Sequence, residues 1–387
     1  MRTLKGLMAG LCALPLLAAV PAHVQTADYW GGYAGTKVVP AQVAARALSW
    51  VETGNDGASR IRPFGVKTIA YSNPNRLQPS DAMYRDDDSM FAHTCGGQRA
   101  RGEQSYNGLV LTNPRSAVLA AQWRKLIDRG SGLFSAVFAD EAVGAAYAAD
   151  VPCGYDLDDW LRAENQLFSR SQTPIIYNGL NLFAGHNVSK TIVLNQSAIG
   201  GMMEECYAQL KPDHRVGGWM WNATEQTELR MAHDGKYFFC YGRDLTPADQ
   251  AYDSRMYTYA SFLLTYDPAT SVLWEYYKTP TGGHVMPESR LVAWNPVKRN
   301  VASIEQLRAP EGLYMRAYAQ CYISSKPVGA CVAVVNPDDD SHTLALPGYR
   351  RTLALQGSGV FDGGSISIRN VPPPGTVGPR GALIAFR

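Results

Sequence analysis

Two pairs of adjacent acidic residues follow short apolar stretches in this sequence. Asp140 and Glu141 come after the apolar or small run 133–138, and Glu204 and Glu205 come after a second apolar stretch. A run that is apolar throughout indicates a strand buried on both faces, as in a parallel sheet covered by helices. Carboxylates that follow such strands can act as nucleophile, general acid or general base. Asp140 and Glu204 are therefore the first catalytic candidates.

Each of these acids also has an ordinary structural interpretation. Asp140 could cap a helix, because Asp favours the N-cap position, or it could be a solvated loop charge. Glu204 could be a surface acid at the start of a loop. Glu205 comes one residue after Glu204, so its side chain should point elsewhere; Glu141 and Glu205 are the secondary candidates.

The elements that would position these acids alternate along the chain. Strand and helix patterns that alternate in this way indicate βαβ units, and eight such units close an α/β fold of the (β/α)8 TIM barrel type. Helices are expected at 40–51, 116–128, 156–170, 224–233 and 251–266. Strands are expected at 27–32, 66–71, 109–111, 133–141, 174–178, 200–205, 236–241 and 271–276.

In such a barrel the site is built at the C-terminal ends of the strands. Strands four and six would place Asp140 and Glu204 two strands apart on the same rim. Paired carboxyl groups lie ~5–5.5 Å apart when hydrolysis of a glycosidic bond retains configuration and ~6.5–9.5 Å apart when it inverts. The sequence leaves both outcomes open.

Amide and aromatic side chains at other strand ends suit carbohydrate, because amides bind hydroxyl groups and aromatic rings stack on sugars. Trp219 and Trp221, which stand before a predicted helix, would form a stacking platform, with buried packing as the alternative. The candidate substrate-binding residues are Trp30, Tyr71, Asn73, Asn113, Asn178, Trp219, Trp221, Tyr241, Arg243 and Glu275.

The composition argues against several other functions. Lys plus Arg (36) nearly balances Asp plus Glu (34) without a basic block, so no nucleic-acid partner is expected. The seven histidines form no HxH or HExxH pair, so no catalytic metal is expected. The sequence contains neither a GxSxG motif nor a glycine-rich phosphate loop, and no cofactor is predicted.

The pattern changes from about residue 303. Short alternating strands follow one another without a helical stretch between them, which predicts an antiparallel β-sandwich of about 85 residues. The predicted division is a signal peptide at 1–22, a catalytic barrel at 23–302 and a C-terminal β-sandwich at 303–387.

The N-terminus has the features of a secretory signal. Arg2 and Lys5 precede the apolar core 7–20, and small residues indicate cleavage near Ala22. No later apolar run is long enough to span a bilayer, so the mature chain is expected to have no integral membrane segment. We expect a secreted or periplasmic protein, and its oligomeric state stays open.

Six cysteines remain once Cys12 is removed with the signal, and an even count in an exported protein favours disulfides. Fifteen connectivities are possible. A predicted hairpin and the ends of two neighbouring strands suggest two pairs, and the third follows by elimination. The favoured pairs are Cys321–Cys331, Cys206–Cys240 and Cys95–Cys153.

Three short motifs resemble those of bacterial TIM-barrel glycoside hydrolases. VFADE at 137–141 resembles their strand-four motif (hydrophobic-Leu-Asp-Asp), and GGMMEECY at 200–207 is similar to their strand-six motif (Gly-hydrophobic-hydrophobic-Glu). The segment 314–337 resembles their C-terminal hairpin, which has the pattern Arg-x-Phe and then hydrophobic-Asn-Pro. The matching residues of that hairpin are Arg316, Tyr318, Asn336 and Pro337.

More distantly, the chain looks like the dextranases and the endo-α-1,4-polygalactosaminidases, in which a strand-four Asp and a strand-six Glu are catalytic. The resemblance implies that Asp140 is the nucleophile and Glu204 the acid/base. This chain has Glu141 where the motif has its second Asp. We therefore expect an exported glycoside hydrolase that acts on a poly- or oligosaccharide. The alternative is a non-catalytic carbohydrate-binding protein on a degenerate hydrolase barrel.

Overall fold

The structure is a computed structural model that describes residues 20–31, 39–102, 108–128, 132–180 and 188–387. Residues 1–19 of the predicted signal peptide lie outside these ranges. Within the ranges, no helix has the length and apolar character needed to cross a membrane.

Eight parallel strands form a closed barrel, which confirms the predicted TIM-barrel class. Around the barrel the strands lie in the order β1-β8-β7-β6-β5-β4-β3-β2. The barrel strands are β1 Gln25–Tyr29, β2 Trp50–Glu52, β3 Lys67–Ser72, β4 Ala136–Ala139, β5 Ile175–Asn178, β6 Gly200–Glu204, β7 Tyr237–Pro247 and β8 Ser271–Lys278.

Helices lie between successive strands and cover the barrel. Ser116 and Asp156 precede two of them and accept hydrogen bonds from backbone nitrogens of the first turn, which is the usual capping contact. The α-helices are α1 Ala41–Ala44, α2 Asn55–Ile61, α3 Ala117–Asp128, α4 Leu157–Ser169, α5 Val188–Thr191, α6 Gly218–His233 and α7 Tyr252–Thr265. Short 3-10 helices are Arg62–Phe64, Asp88–Met90, Gly144–Tyr147, Ile192–Gln196, Pro287–Arg290, Ile304–Leu307 and Val360–Asp362.

Two of the predicted elements are wrong: one barrel strand was predicted as a helix, and one predicted barrel strand lies outside the barrel. The predicted helix at 40–51 is a single turn, α1, and its last residues begin strand β2, which pairs with both β1 and β3. The predicted strand at 109–111 lies outside the barrel, because Val110–Leu111 pairs with Arg76–Leu77 and not with a barrel strand. Strand pairing on both sides overrides the helical spacing of the first segment. The number of strands stays at eight.

Inside the barrel, an apolar side chain on each strand is followed two residues later by the side chain that reaches the mouth. This spacing arises because alternate residues of a strand face the same side. The apolar layer includes Ala27, Trp50, Ile69, Phe138, Ile176, Met202, Phe239 and Trp274. The residues two positions later are Tyr29, Glu52, Tyr71, Asp140, Asn178, Glu204, Tyr241 and Tyr276.

Strand β6 begins with two glycines because there is no room for side chains. A Cβ atom at Gly200 would lie 2.5 Å from the carbonyl oxygen of Tyr237, and one at Gly201 would lie 2.8 Å from the ring of Tyr177. The glycines let β6 pack closely between its neighbours and bring Glu204 to the mouth.

The C-terminal part of the chain is an antiparallel sheet of six strands, with order β9-β10-β11-β16-β13-β14. Helix α7 packs against one face of the sheet, and a two-stranded ribbon, β12 with β15, packs on the other. Strand β9 precedes residue 303, so the sheet begins before the proposed division at 302/303. These strands are β9 Leu291–Pro296, β10 Tyr314–Ile323, β11 Lys326–Val335, β12 His342–Thr343, β13 Arg351–Gln356, β14 Ser365–Arg369, β15 Thr376–Val377 and β16 Ala382–Phe386.

The described residues contain three disulfides, and they are the three pairs that the sequence favours. Cys321–Cys331 joins the paired strands β10 and β11, with Cα atoms 6.0 Å apart. Cys206–Cys240 ties the segment after β6 to β7, with Cα atoms 5.5 Å apart. Cys95–Cys153 joins the loop after β3 to the loop after β4.

Candidate active site

Asp140 lies one residue beyond β4, and its carboxylate accepts three hydrogen bonds. Tyr71 Oη donates to Oδ2 over 2.7 Å, while Asn178 Nδ2 and the backbone nitrogen of Glu141 donate to Oδ1 over 2.7 and 2.9 Å. The side-chain amide of Asn75 donates to the Asp140 carbonyl over 2.7 Å. An ionised carboxylate only accepts hydrogen bonds, so this set of donors suits it and fixes its orientation.

Glu204 is the last residue of β6, and 26% of its side chain remains exposed. Arg243 Nη1 lies 3.8 Å from Glu204 Oε1. Burial raises the pKa of Glu204 to about 7; the charge of Arg243 lowers this pKa, whereas the charge of Asp140 raises it. A carboxyl group with this pKa still holds a proton on a large share of molecules near neutral pH, as a general acid must.

Asn178, the last residue of β5, connects the two acids. Its amide donates to Asp140 Oδ1, and its side chain also hydrogen-bonds Glu204, which lowers the pKa of Glu204. Strand β5 lies between β4 and β6 in the barrel, so the residue at its end is within reach of both carboxyl groups. The two acids therefore face the same mouth and share one amide.

The second acid of each pair turns away from the first. Glu141 and Glu205 both have left-handed backbones, with φ of 60° and 55°, a conformation that non-glycine residues rarely adopt. Glu141 Oε2 lies 3.2 Å from Arg76 Nη2, and Glu205 Oε1 accepts from the backbone nitrogen of Leu210 over 3.1 Å. The side chains of Glu141 and Glu205 therefore stabilise the loops that follow the two strands. Left-handed backbone at non-glycine residues is strained, and such strain concentrates at functional sites.

Tyrosines at the ends of β1, β7 and β8 form one side of the mouth, and Trp274 of the apolar layer packs beneath them. We call this group the aromatic wall: Tyr29, Tyr241, Trp274 and Tyr276. The Trp274 ring centroid lies 5.1 Å from that of Tyr29 and 5.3 Å from that of Tyr241. Tyr29 and Tyr241 are hydrogen-bonded to each other, and burial raises the pKa of both, so both hydroxyls keep their protons. Flat rings with a polar edge suit sugar binding.

Several residues of the mouth were not predicted from the sequence. Glu52, at the end of β2, is buried beside Tyr29, and its charge raises the pKa of the tyrosine hydroxyl. The helical spacing of 40–51 conceals the strand that carries Glu52. Asn75 was also missed, although the turn-forming run 72–75 was the signal that a polar loop side chain lies there.

Of the predicted substrate-binding residues, Tyr71, Asn178, Tyr241 and Arg243 lie with the two acids. Asn73 lies in the loop that follows β3. Its Oδ1 accepts from the backbone nitrogens of residues 75 and 76, each over 3.0 Å, and so shapes the turn that brings Asn75 to Asp140.

Other predicted residues are placed elsewhere. Trp30 is buried, and its Nε1 donates to a backbone carbonyl over 3.1 Å. Asn113 Oδ1 accepts from the backbone nitrogen of Arg115 in the turn before α3. Glu275 is buried on the outer face of β8, where burial raises its pKa well above the usual value and the charge of Glu288 raises it further.

Trp219 and Trp221 lie on helix α6 itself and not before a helix as predicted. Trp221 is fully buried; its Nε1 donates to Ser261 Oγ over 2.9 Å, and its ring centroid lies 4.6 Å from that of Tyr314. Trp219 is 64% exposed and lines a shallow cleft with residues of the C-terminal region. Both tryptophans therefore lie where the barrel meets the C-terminal sheet.

A cleft of about 490 Å³ opens beside Asp140. Tyr71, Asp140 and Glu141 line it from the barrel, and Gln78 and Asp81 line it from the loop after β3. Its volume falls in the range of about 300–1,000 Å³ that is typical of ligand sites. Among the residues that the structure describes, no group of three or more His, Cys, Asp or Glu could hold a metal ion.

The solved structures to which the chain is similar include glycoside hydrolases. The glycoside hydrolase domain of PelA from Pseudomonas aeruginosa matches with TM-score 0.45 and 9% identity over 65% of this chain and 95% of that one. Ega3 from Aspergillus fumigatus, in complex with galactosamine, matches with TM-score 0.41 and 12% identity over 66% and 92% of the two chains. A noncanonic maltogenic α-amylase, AmyB from Thermotoga neapolitana, matches with TM-score 0.46 and 12% identity over 93% and 98%.

Glycoside hydrolases, the class that the three sequence motifs resemble, are among these solved structures. No protein-family model matches the sequence, and no curated protein matches it.

Proposed function

We propose that the protein is an exported glycoside hydrolase that cleaves glycosidic bonds of a poly- or oligosaccharide, with Asp140 as nucleophile and Glu204 as acid/base. The observation that carries the proposal is that Asn178 contacts both carboxyl groups while their surroundings differ. Asp140 meets three donors, whereas burial favours a proton on Glu204. A carboxylate and a protonated carboxyl at one mouth can divide the two roles.

In the first step, Asp140 attacks the anomeric carbon, the bond from that carbon to the leaving oxygen breaks, and Glu204 gives its proton to that oxygen. The result is a glycosyl ester on Asp140 and a released alcohol. In the second step, Glu204 takes a proton from water, the water oxygen attacks the anomeric carbon, and the ester bond breaks. Asp140 is then a carboxylate again and Glu204 is protonated. Arg243 stabilises the charge that Glu204 carries between the steps.

The shared amide favours retention of configuration over inversion. A side chain as short as that of asparagine contacts both carboxyl groups only when they lie close together. Retaining enzymes hold their carboxyl groups ~5–5.5 Å apart, whereas inverting enzymes need ~6.5–9.5 Å to admit water between the acid and the sugar. The contacts of Asn178 therefore fit the shorter separation.

Carbohydrate as the substrate and export as the destination rest on separate observations. The aromatic wall offers rings opposite the carboxylates, and the cleft beside Asp140 offers room for further sugar units. Three disulfides fit an oxidising compartment, in agreement with the signal-like N-terminus.

The experiment is a screen of the purified protein against bacterial and plant polysaccharides for new reducing ends. On a polysaccharide that is cleaved, Asp140→Asn should abolish turnover. Glu204→Gln should lose activity on the natural substrate but keep the first step on aryl glycosides, whose activated leaving groups need little protonation. The configuration of the first product, read by NMR, should match that of the substrate.

Glu141→Gln and Glu205→Gln serve as matched controls, because each removes an acid next to a proposed catalytic residue. Both should keep most of the turnover. Full activity of Glu204→Gln together with an inactive Glu141 or Glu205 variant would reverse the assignment. Binding of a polysaccharide without any cleavage would favour a carbohydrate-binding protein.

A further inference from the structure

His284, in the segment after β8, is held by Asp28 of β1. His284 Nδ1 lies 2.9 Å from Asp28 Oδ1, and the backbone nitrogen of His284 donates to Oδ2 over 2.8 Å. The backbone nitrogen of Tyr29 donates to Oδ1 over 2.8 Å. Both side chains are buried, with Asp28 1% and His284 6% exposed. Nδ1 must be the donor of the first bond, because a carboxylate only accepts.

This bond fixes what the other ring nitrogen can do. A neutral imidazole carries one hydrogen, so when Nδ1 donates, Nε2 is left as an acceptor. Within the described ranges of the chain, the only side-chain hydrogen bond of His284 is the one to Asp28. Asp28 therefore sets both the tautomer and the orientation of the His284 ring. Nε2 is then placed to accept a hydrogen bond from a donor outside the protein.

The imidazole of His284 lies beside the aromatic wall. Ala27 and Tyr29 face the barrel interior, so Asp28 between them faces outward. The imidazole, which that carboxylate holds, lies next to tyrosine rings of the mouth. Its ring centroid lies 4.5 Å from that of Tyr276 and 6.3 Å from that of Tyr29, two members of the aromatic wall.

We propose that His284 is a substrate-binding residue whose Nε2 accepts a hydrogen bond from a sugar hydroxyl on the β1–β8 side of the mouth. The inference rests on the proposed function, because its ligand is the carbohydrate on which Asp140 and Glu204 act. A fixed acceptor next to tyrosine rings selects a group that can donate, and it rejects an analogue that lacks that hydroxyl. Asp28 is a positioning residue, since it acts through His284.

The test measures binding to the full chain carrying Asp140→Asn, so that ligand is not consumed. The probes are maltotetraose, isomaltotetraose, cellotetraose, chitotetraose and an α-1,4-linked galactosamine tetramer, with affinity read by calorimetry. For the tetramer that binds most tightly, adding His284→Ala or His284→Asn should raise Kd about three- to tenfold, as expected for one lost hydrogen bond. His284→Gln, whose amide reaches the position of Nε2, should restore most of the affinity.

Comparing His284→Asn with His284→Gln shows whether His284 contacts the substrate or only supports the fold. Asn retains a donor for Asp28 but has no atom where Nε2 lies, so a purely structural histidine would be replaced better by Asn than by Gln. Equal affinity of the His284→Asn variant and its parent would overturn the proposal. His342→Ala is the matched control, because His342 makes a similar 3.0 Å contact with Asp338 in the C-terminal region. Its Kd should not change.

The outcomes for His284 and for the proposed function are distinguishable. Tetramer binding that depends on His284, without cleavage of any polysaccharide by the unsubstituted protein, would support the site and overturn the hydrolase proposal. Cleavage together with unchanged affinity in all His284 variants would overturn the site alone. Failure of all five tetramers to bind would also overturn the site as described, and the reducing-end screen would still decide the function.

Discussion

The side-chain amide of Asn178 lies 2.7 Å from the carboxylate of Asp140. Because the same side chain also hydrogen-bonds Glu204, a neutral group orients both acids without adding a charge between them. A charged residue at this position would move the pKa of the nearby carboxyl groups in one direction. Asn keeps the environments of the two acids distinct, which the division into nucleophile and acid requires.

Replacing Asn178 by Ala is expected to lower kcat about 100-fold, the usual effect of removing one donor that stabilises charge in an active site. Asp140 keeps its bond from Tyr71, so the protein should still fold. The measurement is kcat on the polysaccharide found in the screen, with thermal unfolding as a check on folding. Asn165→Ala is the matched control, because Asn165 Nδ2 bonds to Gln196 on the outer surface and should not affect kcat.

The value of kcat/KM should begin to fall near pH 7 as the pH rises, and we call this fall the basic limb of the pH profile. Glu204 must be protonated to act as the acid in the first step, and partial burial raises its pKa to about 7. The value of kcat/KM should therefore fall about tenfold per pH unit well above pH 7. A profile that stays flat to pH 9 on a substrate with a poor leaving group would show that Glu204 is not this acid.

Arg243→Met should move that limb to higher pH. The guanidinium of Arg243 lies 3.8 Å from Glu204 and lowers its pKa, so removing the charge leaves Glu204 protonated over a wider range. The control is Arg230→Met, because Arg230 pairs with Asp234 at 2.7 Å at the end of α6 and should leave the limb in place. A downward shift in the Arg243 variant would contradict the electrostatic assignment.

Local patterns in the sequence predicted which strand ends carry the two candidate acids. Strand β4 is a continuous apolar run, and such a run locates its own C-terminal end, so Asp140 could be identified before the fold was known. Strand β6 has only Met202 and Met203 between its glycines and Glu204, yet that was enough to indicate a strand end.

Contacts between residues that are far apart in the sequence leave no local pattern from which they can be predicted. His284 meets Asp28 across 256 residues, and a single histidine has no spacing that marks it. Strand β2 was missed for a different reason. Its residues Trp50 and Val51 follow a segment with helical spacing, and only pairing with β1 and β3 makes them a strand.

The Cys206–Cys240 disulfide should matter for catalysis as well as for stability. Cys206 follows the Glu204–Glu205 pair directly, and Cys240 precedes Tyr241, so the bridge ties the acid's loop to the strand that carries Arg243. Replacing both cysteines by Ser should lower stability by on the order of 3–4 kcal/mol, as loop-closure entropy for a separation of 34 residues implies. It should also lower kcat at temperatures where the variant remains folded.

The matched control for this variant replaces Cys321 and Cys331, whose bridge closes a hairpin of the C-terminal sheet. With a separation of 10 residues, its loss should cost somewhat less stability and leave kcat unchanged. Circular dichroism melts and kcat at 20 °C measure the two effects. Equal loss of kcat in both double variants would mean that the disulfides act only through global stability.

Glu204→Gln should stabilise the protein above neutral pH while it impairs catalysis. The pKa of Glu204 is about 7 in the folded state and 4.5 in the reference state, so between these values the folded protein keeps a proton that the unfolded chain loses. Stability therefore falls as pH rises from 4.5 to 7 and is level above that. Gln carries no charge and avoids this loss.

The gain should be near zero at pH 4.5 and reach at most ~3.5 kcal/mol at pH 8, since one pKa unit corresponds to about 1.4 kcal/mol. Urea unfolding at the two pH values measures it. Glu141→Gln gives the opposite sign, because it removes the partner of the buried Arg76 and should destabilise the protein. If Glu204→Gln is no more stable than the parent at pH 8, burial does not penalise the charge of Glu204, and the basis for its role as the acid is lost.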